Sequence, residues 1–102
     1  MKYLGLDLGK KSLGIAISDR TGLIATFYKN IRYEDENKLI EELLQIINKE
    51  EIDKIVLGYP KNMDNSEGFR AQETKDFMNK LQAKTDKEII KKRFKKNSIR
   101  KF

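Results

Sequence analysis

The apolar residues of this chain keep one spacing up to about residue 31 and another from residue 39. That change of period constrains the fold more than any other feature. Leu4, Leu6 and Leu8 alternate with Tyr3, Gly5 and Asp7, and Leu13, Ile15 and Ile17 alternate with Gly14, Ala16 and Ser18. Period two over so short a run predicts two strands, each burying one face. Gly9-Lys10-Lys11 between them has hairpin length. Asp19-Arg20-Thr21-Gly22 predicts a second tight turn, and residues 23–31, with Ile24, Thr26, Phe27, Tyr28 and Ile31, predict a third strand. Three strands joined by such turns form an antiparallel meander.

The second period is helical. Asp35 is placed as an N-cap, and Leu39, Ile40, Leu43, Leu44, Ile46 and Ile47 share one stripe, with Glu41, Glu42 and Lys49 off it. A helix over residues 36–50 is therefore expected. Residues 52–57 then form a short apolar run ending at Gly58-Tyr59-Pro60, which predicts a buried strand reached by a crossover into parallel pairing. Residues 59–68 are polar and turn-rich, a loop. A second helix is expected over 67–84 with Ala71, Thr74, Phe77, Met78 and Leu81 inward, and Glu88-Ile89-Ile90 could open a fifth strand. The order βββαβα(β) defines an α/β domain. At 102 residues there is room for one. It is expected over residues 1–90, followed by a basic tail over 91–102.

Composition narrows the chemistry. With neither Cys nor His, disulfide frameworks, Cys/His zinc sites and thiol or imidazole catalysis are excluded. No apolar run is long enough to span a bilayer, and Asp7 interrupts the N-terminal apolar stretch too early for a signal peptide. A cytoplasmic location is the expectation. Charge is unevenly spread: residues 1–80 carry 13 basic and 14 acidic side chains, residues 81–102 carry 9 and 2. The basic end suits nucleic acid, or equally a solvated, partly disordered tail.

Asp7 is the first candidate for chemistry. A carboxylate among apolar neighbours calls for a cation nearby, either a metal ion or a Lys/Arg. Strand carboxylates gathered around Mg²⁺ or Mn²⁺ are one way to cleave phosphodiesters. The plainer alternative is a strand-end carboxylate bonded to the amides of the turn at Gly9. The second candidate is the loop between Gly58 and Gly68. It follows a buried strand and feeds a helix N-terminus, so Lys61, Asn62, Asn65, Ser66 and Arg70 could meet phosphate. An ordinary connecting loop would look the same.

The segment Asp7-Leu8-Gly9-Lys10-Lys11-Ser12-Leu13-Gly14 resembles the phosphate hairpin of the sugar-kinase, actin and heat-shock ATPase class. Those proteins need two such domains, so the likeness supports only the shared three-stranded opening. No P-loop is present. A more specific resemblance covers residues 1–84. The opening MKYLGLDLGKKSLGIAISDRTGLIA and the later IDKIVLGYPKNMDNSEGFRAQ, a G-x-P-x-x-M loop running into a helix, resemble the two motifs of the YqgF/RuvX-like family. These bacterial proteins are assigned to pre-16S ribosomal RNA cleavage and are also described as Holliday-junction-resolvase-like.

The resemblance implies a ribonuclease H-like fold and a role in maturing the 5′ end of small-subunit ribosomal RNA. It also implies metal-dependent nuclease chemistry with Mg²⁺ or Mn²⁺ and, as partner, pre-16S rRNA or branched DNA. Asp7 matches the family's first-strand metal ligand and catalytic Asp; Lys10, Lys11, Lys61, Asn62, Arg70 and Arg93 are the expected nucleic-acid contacts. The family's later Asp-Glu-Arg run falls here on Lys91-Lys92-Arg93. Arg93 matches, whereas lysines stand at both acidic positions. The family's last Asp, on a C-terminal helix, has no counterpart, so the C-terminal part is expected to be missing and cleavage impaired. An out-of-frame reading of adenine-rich coding sequence would give such an ending. A short form that binds RNA through a basic tail explains the charge equally well, and a catalytically inactive binding module or a truncated remnant is the alternative function.

Overall fold

The computed structural model describes residues 1–21, 24–60 and 68–94. Five strands and two helices follow in the order β1 (Tyr3–Leu8), β2 (Ser12–Ser18), β3 (Ala25–Arg32), α1 (Glu36–Lys49), β4 (Lys54–Pro60), α2 (Gly68–Gln82) and β5 (Glu88–Phe94). The strands form one sheet of spatial order β3-β2-β1-β4-β5. β1, β2 and β3 make the expected antiparallel meander, and β4 and β5 add parallel strands on the other side of β1. Each parallel step carries a helix as its crossover, as parallel pairing requires.

The period-two pattern holds in part: Leu8 and Ile17 are only half-buried, and Gly5, Ala16 and Ser18 of the opposite parity are buried as well. Leu4 and Leu6 of β1, Leu13 and Ile15 of β2 and Ile55 and Leu57 of β4 are all buried and belong to one apolar cluster. From the helices, α1 contributes Leu39, Ile40, Leu43, Ile46 and Ile47, and α2 contributes Phe77 and Leu81. Both helices therefore lie on the same face of the sheet, and among the described residues no helix covers the other. Asp35 caps α1 as expected, its carboxylate accepting from the Asn37 amide at 2.9 Å. On the expected stripe, Leu44 is only half-buried, because it sits at the margin of the packed face. In α2, Thr74, Phe77 and Leu81 are buried and Met78 half-buried, while the side chain of Ala71 lies outside what is described.

Most boundaries move by one or two residues, and the larger departures from expectation are at the ends of β4 and β5. β4 starts at Lys54 and continues through Gly58-Tyr59 to Pro60, where a turn was expected. The reason is β5, whose ladder runs from Lys54↔Glu88 to Pro60↔Phe94 and keeps the backbone extended; proline is tolerated at that terminal position. β5 itself passes through Lys91, Lys92 and Arg93 to Phe94, four residues beyond the boundary expected at 90. Its side chains looked too polar to pack, but an edge strand needs a backbone partner on one side only, and lysines suit an exposed edge. Residues 95–102, the rest of the expected tail, lie outside the described residues. β3 also carries a bulge: register shifts between Ile15 and Ala16 of β2, so Tyr28 is the extra residue between the pairs Lys29–Ile15 and Phe27–Ala16.

Candidate functional site

Register places a short row of residues across the helix-free face. Asn30 of β3 pairs with Gly14 of β2, and Gly14 pairs with Asp7 of β1. The β1–β4 ladder ends at Leu6↔Leu57, so the next step brings Gly58 of β4 level with Asp7. Gly58 in turn pairs with Lys92 of β5. Paired residues share a face, and Gly5, two residues before Asp7, shares it too.

Asp7 thus stands half-buried, with Gly5 two residues before it on its own strand and Gly14 and Gly58 level with it on the two neighbouring ones; Gly5 and Gly58 are themselves buried. A methyl group built on Gly14 would lie 3.8 Å from the Asp7 Cβ and 4.0 Å from the Asn30 Oδ1, an ordinary contact that would fill this space. Glycine inside a strand commonly marks such a place, where another backbone or a ligand comes close. The Gly9 amide, which could have held the carboxylate, donates to the Ser12 carbonyl at 2.7 Å and closes the hairpin turn.

The other expected contacts are only partly assembled. Lys10 and Lys11 are exposed in the turn directly after β1, and the Tyr33 amide donates to the Lys11 carbonyl at 3.0 Å. Arg70 lies in the first turn of α2 and Arg93 in β5 opposite Tyr59, but their side chains are outside the described part. Lys61 and Asn62 fall wholly outside it.

Beside the hairpin opens a cleft of about 280 Å³, where Lys10 and Lys11 meet Glu34, Glu36, Glu73 and Asp76. Its mixed charge makes it a poor phosphate cradle. The Lys80 ammonium spans it to Glu36 at 3.1 Å, tying α2 to α1. Burial, reinforced by Glu36 and then Glu73, raises the Tyr33 phenol above its ordinary 10.0. Sequence reasoning missed this acidic wall, because Glu34 precedes α1, Glu36 opens it, and Glu73 and Asp76 sit in α2. It also missed Asn30, whose parity with Asp7 is hidden by the bulge at Tyr28.

A divalent pair needs several carboxylates within reach of one point. Among the described residues no three of His, Cys, Asp and Glu come together to hold a metal ion. Asp53 accepts from the Lys2 amide at 2.8 Å, at the opposite end of β1, and Asp19 accepts from the Thr21 hydroxyl at 2.7 Å in the turn after β2. Asp64 lies outside the described residues. The donor set described around Asp7 is therefore one carboxylate with a lysine in its row, which does not fit Mg²⁺ or Mn²⁺.

An antiparallel three-stranded opening, parallel strands added beside β1 and a strand carboxylate on the open face together define a ribonuclease H-like domain. The backbone agrees: the Thermus thermophilus RuvC structure solved with a Holliday junction substrate superposes with a TM-score of 0.67 at 9% identity, over 91% of this chain and 64% of that one. A fowlpox virus resolvase structure matches at 0.52 and 16% identity, over 96% of this chain and 65% of that one.

The chain belongs to the RuvX family, whose model, described as Holliday junction resolvase, matches residues 1–92. Relatives include a protein of Agathobacter rectalis, 42% identical over 88% of this chain, and one of Ruegeria sp., 45% identical over 81%; each is named "Putative pre-16S rRNA nuclease". The chain spans 65% and 53% of those relatives' lengths. No described helix is long and apolar enough to cross a membrane.

Proposed function

We propose that this chain is the nucleic-acid-facing domain of a cytoplasmic nuclease that processes the 5′ end of pre-16S rRNA, and that on its own it binds its substrate better than it cleaves it. The observation that carries this reading is Asp7 in its glycine-floored row on the helix-free face. The naming of its relatives supports rRNA as the substrate, and the folds of the junction resolvases make branched DNA the second substrate to test. A phosphodiester backbone can approach Asp7 because Gly5, Gly14 and Gly58 put no side chain in its way. Lys10 and Lys11, one turn further on, offer ammonium groups to neighbouring phosphates, and such contacts position a strand without reading its sequence.

The ion chemistry that the family resemblance implies would need Asp7 and partners that the described residues do not supply. No cleavage step through Mg²⁺ or Mn²⁺ is therefore derived. The lysine in the row favours the binding module over the active nuclease.

The test is a gel assay with an RNA spanning the 5′ end of mature 16S rRNA and with a four-way DNA junction, in Mg²⁺ and in Mn²⁺. Binding that weakens steeply with salt, with little or no cleavage, is expected. Absence of binding at low salt would overturn the reading. Any cleavage observed should vanish in Asp7→Asn, and its survival there would remove Asp7 from the chemistry.

A further inference from the structure

Apart from its own chain neighbours, the three atoms nearest the point where a Gly14 methyl group would sit are the Asp7 Cβ at 3.8 Å, the Asp7 carbonyl oxygen at 3.9 Å and the Asn30 Oδ1 at 4.0 Å. Register explains the meeting, since Gly14 of β2 pairs with Asp7 on one side and with Asn30 on the other. The two polar arms therefore border one slot, which stays open because β2 carries no side chain there. Other β3 residues of this parity lie level with other rows: Phe27 pairs with Ala16 and Arg32 with Ser12.

The chemistry of this slot is selective. The Asp7 carboxylate accepts hydrogen bonds and cannot donate them, so it repels a phosphate oxygen and calls for a donor. The Asn30 carboxamide accepts through its oxygen or, turned by half a rotation, donates through its NH₂. It is exposed, and among the described residues no hydrogen bond engages it, so a ligand meets it without breaking an internal contact. A hydroxyl over Gly14 donates to Asp7 and accepts from Asn30, its two partners standing about 5 Å apart. Along a polynucleotide backbone the repeating hydroxyl is the 2′-hydroxyl of ribose, which DNA lacks.

We propose that the slot over Gly14 seats a ribose 2′-hydroxyl between Asp7 and Asn30, and that Asn30 sets a preference of this chain for RNA over DNA of the same sequence. The proposal deepens the function given above and rests on its reading that nucleic acid lies along the Asp7 row. The sugar sits at Gly14, while the adjoining phosphates extend toward Lys10 and Lys11, exposed in the turn after β1. Those lysines attract either nucleic acid through its phosphates, so they set how tightly a strand is held and Asn30 sets which strand.

Fluorescence anisotropy tests this with the full chain and three labelled single strands in EDTA: an RNA, a DNA of the same sequence, and the same RNA methylated at every 2′-oxygen. The RNA is expected to bind about tenfold more tightly than either other strand, the worth of one hydrogen bond to a charged group. Asn30→Ala should weaken RNA binding about fivefold or more and DNA binding less than about twofold, bringing the three affinities together. Equal affinity of the unmodified protein for RNA and DNA would overturn the proposal, and so would a preference for RNA that Asn30→Ala leaves intact.

If Asn30→Ala does not fold, by circular dichroism, single 2′-O-methyl groups walked along the RNA decide the matter with the unmodified protein. Loss of affinity confined to one or two positions is expected, and indifference at every position refutes the slot. Equal binding of RNA and DNA removes the slot and keeps the nucleic-acid reading, whereas no binding of any strand at low salt removes both.

Discussion

Truncating Phe77 to alanine should separate the docking of α2 from the rest of the fold. The two helices hold the sheet unequally. α1 buries Leu39, Ile40, Leu43, Ile46 and Ile47, whereas the described large apolar side chains that α2 fully buries are Phe77 and Leu81, each 1% exposed. Removing a buried phenyl ring costs about 3–5 kcal/mol, through lost transfer energy and the cavity left behind. For a domain of this size each kcal/mol moves the melting temperature by about 4–8 °C, so a shift of roughly 12–40 °C is expected. That is a large part of the roughly 5–15 kcal/mol such a domain possesses.

The damage should begin in α2, because β1, β2 and β4 keep α1 packed over them. Urea unfolding measures the total cost, and native-state amide exchange locates it. Amides of residues 72–82 should lose more protection than those of β1 and β2. Lys75→Ala, on the exposed side of the same helix, serves as the control and should change stability by less than about 0.5 kcal/mol. A loss below about 1 kcal/mol in Phe77→Ala, or equal loss of protection in α1 and α2, would refute this account of how α2 is held.

Removing the α1 cap in Asp35→Ala should cost about 1 kcal/mol, read as a fall of several degrees in melting temperature; no change would mean that the Asn37 amide finds water as good a partner. The raised Tyr33 phenol keeps its proton in the folded state at pH values where the unfolded chain loses it. Its contribution to stability is therefore fully present below pH 10 and declines as pH rises beyond that. The difference in 295 nm absorbance between the protein and Tyr33→Phe should show a midpoint above 10.0, moved downward by Glu36→Gln. Lys10→Gln and Lys11→Gln should each weaken RNA binding and reduce the slope of log affinity against log salt by roughly 0.7–0.9; an unchanged slope would place phosphate elsewhere. Gly14→Ala should fold normally, given the ordinary contacts a methyl group would make, yet weaken RNA binding by crowding the floor beside Asp7.

Most of the fold was legible in sequence because local periodicity reports which face an element buries. The alternation at Leu4-Leu6-Leu8 and at Leu13-Ile15-Ile17 placed two strands, and the stripe from Leu39 to Ile47 with Asp35 before it placed a capped helix. Each of these depends on residues close in the chain. The continuation of β4 to Pro60 and of β5 through Lys91-Lys92-Arg93 was not legible. Gly-Tyr-Pro and Lys-Lys-Arg have no apolar period, and their extended backbones are held by each other, thirty-odd residues apart.

The site divides in the same way. The sequence by itself named Asp7 as a carboxylate out of place among leucines and valued Lys10 and Lys11 beside it. It also showed lysines where the family resemblance leads one to expect acids. Only the tertiary structure decided that Gly14 and Gly58 lie level with Asp7, that Asn30 and Lys92 end its row, and that Lys91 belongs to the other parity. A sheet builds such a row from one residue of each strand, so its members are fixed by register between strands, which no single segment of chain encodes.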